Sequence, residues 1–117
     1  MRVRCEVAHQ PLDVGEEYVV LCFSTSKDGL GTFGLHRPPD DRGPTFWPAE
    51  IFSILDPTLP RLWTAHLTPV RLLLAPPGWH APDFFEGLTS SDYISTERAR
   101  EIHASYKHDL AILLAES

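Results

Sequence analysis

Two hydrophobic periods, kept apart along the chain, limit what this sequence can fold into more than any other feature. Between Ser90 and Glu116, Ala99, Ile102, Tyr106, Leu110 and Leu113 recur at spacings of three and four. A helix gathers such residues into one stripe, and Glu97, Arg100, Glu101, Lys107 and Glu116 fall mostly elsewhere. Ser91, Asp92, Ser95 and Thr96 are all suited to cap its start, because a short polar side chain accepts from the unpaired N–H groups of the first turn. Ahead of this helix the period is two. Arg2 to Ala8 sets Val3, Cys5 and Val7 against Arg2, Arg4 and Glu6, the pattern of a half-buried strand. Alternating segments followed by one amphipathic helix predict an α+β domain, with the helix laid on a sheet.

Turn residues divide the rest. "PLDVGEE" precedes "YVVLCFST", a run of β-branched and aromatic residues suited to a central strand. Asp28-Gly29 is a hairpin signal, since glycine accepts positive φ without a Cβ clash, and "TFGLH" is the return strand, with Gly34 marking a bulge or a close backbone approach. "RPPDDRGP" reads as a loop: its prolines remove donors and its adjacent carboxylates prefer water. "GPTFWPAEIFSILDPTLPRLW", residues 43–63, is neither a clean helix nor a clean strand. Pro48 suits the start of one short helical turn that presents Ile51 and Phe52 to the core before "SILD" continues extended. "RLWTAHL" and "VRLLLA" form another antiparallel pair about Thr68-Pro69, and "PPGWHAPDFFEGL" is a second irregular aromatic stretch. The expectation is one domain over residues 1–117: a bent, mainly antiparallel sheet of roughly five or six strands, curled toward an SH3-like barrel, with a C-terminal helix packed on it.

A chain of 117 residues, 43% apolar and 22% charged, can bury a core without a disulfide or metal scaffold. Sixteen acidic against ten basic residues leave a formal charge of −6, which repels phosphate backbones and anionic lipid and suits a basic protein partner. No segment reads as a secretory signal, and "YVVLCF" is too short to span a bilayer, so a cytoplasmic location is expected. Cys5 and Cys22, inside strand-like segments, read as buried free thiols.

Reaction chemistry finds little support. His103 and His108 are five apart on the helix, which turns them off a common face, and His9, His36, His66 and His80 are isolated, so no metal site is expected. There is no G-x-S-x-G elbow, and the glycines of "DGLGTFG" lie between strands rather than leading into a helix. Asp40-Asp41 reads as a solvated turn rather than an acid–base pair. No catalytic residue and no cofactor are expected. What remains is recognition. Trp47, Trp79, Phe84 and Phe85 sit in proline-rich stretches near Asp40, Asp41, Glu50, Asp83 and Glu86, and aromatic anchors rimmed by charge suit a protein interface. The same rings could instead be core residues covering the sheet edges; one or two of the four are expected at the surface.

Gly15, Tyr18 and Val20, then Trp47, Pro48, Ala49, Phe52 and Asp56, then Trp63, follow a pattern G-x-x-Y-x-V, aromatic-Pro-Ala-x-x-Phe ending in Asp, and a later Trp ahead of an acidic helical tail. In this the chain resembles a loose family of small, mostly uncharacterised bacterial proteins similar to toxin-immunity proteins. The resemblance implies a protein that binds a basic toxin domain and occludes its active surface. "HRPPDDRGP" is richer in proline than that pattern, which puts any partner contact by this loop in doubt. The rival readings are a small ligand-binding module or enzyme using the concave face of the sheet, with Tyr18, His36 or His66 lining the pocket, and an adaptor subunit of a larger assembly.

Overall fold

The computed structural model describes the chain apart from residues 39 and 90–94, and apart from the side chains of residues 40–42. Its scaffold is a long second strand. β1 (Arg2–Cys5) buries Val3 and Cys5 and leaves Arg2 and Arg4 beside Glu17, as the alternation requires. It ends three residues earlier than Ala8, where the Glu6 N–H turns to the Ile51 carbonyl and Val7 faces water. β2 (Glu17–Ser26) pairs along one edge with β3 (Gly31–Arg37), and its other edge is shared, by β1 near Tyr18 and by β7 (Arg71–Ala75) from Phe23 onward. Strands flanked and covered on both faces read as continuous apolar runs. Val20, Leu21 and Cys22 are accordingly all fully buried, and a register shift at this point lets Leu21 and Cys22 join the same core cluster.

The β2–β3 turn uses Gly29 at φ 81°, the left-handed value that the Asp28-Gly29 pair predicts. Gly34 marks a close approach: a Cβ there would collide with the Cys22 sulfur and crowd the Phe46 ring.

The stretch expected to be a loop is mostly strand. β4 (Asp40–Pro48) pairs antiparallel with β3, from Arg37 opposite Asp40 to Thr32 opposite Pro48. It lies at the end of the strand order, where prolines such as Pro44 and Pro48 are tolerated because one side of the strand needs no ladder donor, and Gly43 takes φ 151°. A 3₁₀ turn (Ala49–Ile51) after Pro48 buries Ile51 and leads into an extended β5 (Phe52–Asp56), as the sequence suggested, and β5 pairs with β1. The path β4-β3-β2-β1-β5 curls, so that Phe33 of β3 meets Phe52 of β5 at 5.9 Å across the two intervening strands, and among the described residues no pairing joins β4 to β5. β6 (Thr64–Leu67) pairs with β7, and the described residues form seven strands rather than five or six, because β4 was read as loop.

The second aromatic stretch is also more regular than expected. It holds a 3₁₀ turn (Pro77–His80) and α1 (Phe84–Thr89). α2 (Thr96–Glu116) begins at Ser95, whose hydroxyl accepts from the Arg98 N–H at 3.1 Å; Ser91 and Asp92, the other early cap candidates, lie outside the described residues. Its buried residues are the expected stripe of Ala99, Ile102, Tyr106, Leu110 and Leu113. Most of them meet Trp79, Phe84 and Leu88 on one side and Leu21, Cys22, Leu73 and Ala75 of the sheet on the other. Val3, Val20, Phe33 and Leu35 fill the inside of the curl. Among the described residues no helix is long and apolar enough to cross a membrane.

Candidate functional site

Period-two geometry along β4 sends neighbouring aromatics to different surroundings. Trp47 packs its half-buried ring against the clusters inside the curl, edge-on to His9 at 5.3 Å, and donates its indole N–H to the Thr45 hydroxyl at 3.0 Å. Phe46 lies over Gly34 instead, and 45% of it is exposed. Its ring meets Phe85 of α1 edge-on at 5.6 Å.

Phe46 thereby separates two open clefts and lines both. One, of about 430 Å³, runs between Leu30 in the β2–β3 turn and Pro48, with Glu50 at its side. The other, of about 280 Å³, lies between Pro44 and Phe85, with Glu86 at its side. Leu30 is 67% exposed, and both carboxylates face solvent. Among the described residues lining the clefts, none is basic.

Of the nine residues expected to meet a partner, Glu50, Phe85 and Glu86 are brought to this face, and Trp47, turned inward, reaches it only as part of the wall of the larger cleft. Trp79 and Phe84 are not brought there: each is 1% exposed, stacked ring on ring at 5.2 Å in the main core, so neither can touch a partner. The helical turns rotate them inward, toward Tyr106 and Leu110. Asp83 is likewise not a free charge. Its two oxygens accept from Arg98 Nε at 2.8 Å and from a terminal Arg98 nitrogen at 2.9 Å, an arrangement that holds the carboxyl below its usual range and Arg98 above its own. Asp40 and Asp41 belong to β4 rather than to a loop, and their side chains lie outside the described residues. Phe46 was missed because "GPTFW" was not read as a strand. Had it been, alternation would have put Phe46 and Trp47 on opposite faces.

Tyr18 and His36 do share a cleft, of about 360 Å³, with Arg37, Asp13 and Glu16; burial raises the Tyr18 hydroxyl above its ordinary value. His66 is elsewhere, its ring stacked on His80 at 5.4 Å. Cys5 and Cys22 are free and buried, and burial pushes the Cys22 thiol up to about 12, which leaves it no nucleophilic thiolate at neutral pH. Among the described residues no three His, Cys, Asp or Glu side chains gather closely enough to hold a metal. No family model matches the chain, and neither the curated proteins nor the solved structures searched yield a match.

Proposed function

We propose that this chain is a recognition protein of the immunity type, acting in the cytoplasm by binding a basic toxin domain and occluding its active surface. One observation carries the reading: a half-exposed phenylalanine stands between two apolar clefts, each bordered by a solvent-facing carboxylate. Aromatic anchors at the centre of a patch supply most of an interface's affinity, and charges at its rim steer an oppositely charged partner and speed encounter. A formal charge of −6 acts in the same direction at long range and disfavours nucleic acid. Occlusion of this kind needs no bond-making group.

The test is capture from the native host with mass spectrometry, followed by co-expression with the toxin so identified. Co-expression should restore growth, and Glu50→Lys with Glu86→Lys should weaken the rescue while leaving the melting temperature in place. Rescue untouched by both reversals removes this face from the interface, and a captured partner without toxicity removes the immunity reading. A second reading, a small-ligand module, is favoured by the Tyr18–His36–Arg37 cleft, whose mixed charges suit a zwitterionic metabolite. A stabilising hit in a thermal-shift screen of such compounds, abolished by Arg37→Ala, would support it.

A further inference from the structure

We infer that the face around Phe46 takes a linear segment of the partner, laid across the phenyl ring, with one apolar side chain in each cleft and a Lys or Arg beside Glu50 and Glu86. This rests on the recognition role proposed above and specifies what it recognises. The clefts share Phe46 as a common wall, so a single short segment can reach both. At about 430 and 280 Å³ each cleft has room for an apolar side chain, and both are open to solvent along the face, so a chain lying across it can enter both. Their walls are apolar, from Leu30, Pro48, Pro44 and Phe85, which selects aliphatic or aromatic anchors.

Charge selects among occupants. A second copy of this chain would have to dock through the same patch on both molecules, because a twofold interface is isologous, and would bring Glu50 and Glu86 toward their own equivalents. An anionic lipid surface meets the same repulsion from a chain of charge −6. A cationic, partly apolar peptide satisfies both the walls and the rim. Backbone pairing along β4 is the weaker mode, because Pro44 and Pro48 each remove an N–H that an added strand would need.

The probe is a display library of random linear peptides panned on the whole protein, with enriched sequences synthesised and titrated by fluorescence anisotropy. Enriched peptides should carry two closely spaced apolar residues flanked by Lys or Arg. Affinity should fall about tenfold or more in Phe46→Ala and in the Glu50→Lys/Glu86→Lys double variant, and binding should weaken with salt. The charge reversals lie on exposed positions and serve if Phe46→Ala folds poorly. Enriched peptides without basic residues, affinities unmoved by these variants, or no enrichment over bare support would each overturn the inference. Rescue from a toxin by a protein that selects no peptide would sink the linear segment and leave recognition standing; selection of basic peptides without any toxin partner would keep the linear segment and remove the immunity reading.

Discussion

Residues 43–52 and 76–88 are written in the same alphabet of proline, glycine, tryptophan and phenylalanine, yet they put their rings to opposite uses. In the second stretch Trp79 comes from a 3₁₀ turn and Phe84 from the first turn of α1, and the two short helical elements fold their rings inward to stack, sealed beneath α2. In the first, β4 alternates, so Trp47 goes into the curl and Phe46 is left half in water. Even the two indoles are tethered differently: Trp47 to the hydroxyl of Thr45, Trp79 to the Asp109 carboxylate at 2.9 Å. Ring content alone says nothing about exposure. The backbone element that carries the rings decides it.

Truncating a ring in each stretch should therefore separate stability from recognition. Trp79→Ala opens a cavity in the main core and strands Asp109, and should destabilise by about 3–5 kcal/mol in urea unfolding. Near-wild-type stability in that variant would mean the aromatic stack is not what closes the helices on the sheet. Gly34→Ala comes next. Its methyl would collide with the Cys22 sulfur beneath the Phe46 ring, an overpacking expected to cost about 1–3 kcal/mol. Adding Cys22→Ala should recover part of that loss in a double-mutant cycle, and strictly additive effects would contradict the close approach. Phe46→Ala should lose only about 1 kcal/mol, since nearly half the ring is already solvated. A loss as large as that of Trp79→Ala would make Phe46 a core residue and empty the proposed interface of its anchor.

The parts of this contrast that could be read beforehand are those governed by local pattern. The stripe from Ala99 to Leu113 and the run from Val20 to Cys22 announce a helix and a buried strand because many residues repeat the same message. β4 was hidden because Asp40, Gly43, Pro44 and Pro48 all vote against a strand, and only its place at the edge of the sheet makes them harmless. α1 was hidden because six residues, one of them Gly87, are too few to display a helical period. At the candidate site Glu50 and Glu86 were found from charge, whereas Phe46 depended on β4. Asp83 looked like a free carboxylate because its partner, Arg98, is fifteen positions away and reaches it only through the packing of α1 on α2.

The smallest expected effect is a change of slope and concerns the tether of Trp79. Burial raises the Asp109 carboxyl above its ordinary value, and the indole N–H of Trp79 and nearby His108 pull it only partly back. A folded value above the unfolded one means the fold favours the protonated acid. That contribution is complete below the unfolded carboxylate value, about 3.9, and is lost as pH rises through the folded value. Asp83 has the opposite sign, since Arg98 holds it low and its contribution disappears as pH falls, but it is common to both proteins compared and cancels in their difference. Asp109→Asn keeps an acceptor for the indole and cannot ionise. Measured by urea unfolding from pH 3 to 7, the stability of the variant relative to wild type should therefore climb with pH and level off once Asp109 is fully ionised. A difference that stays flat would show that the carboxylate is well solvated, and would place the tether of Trp79 on the same footing as that of Trp47.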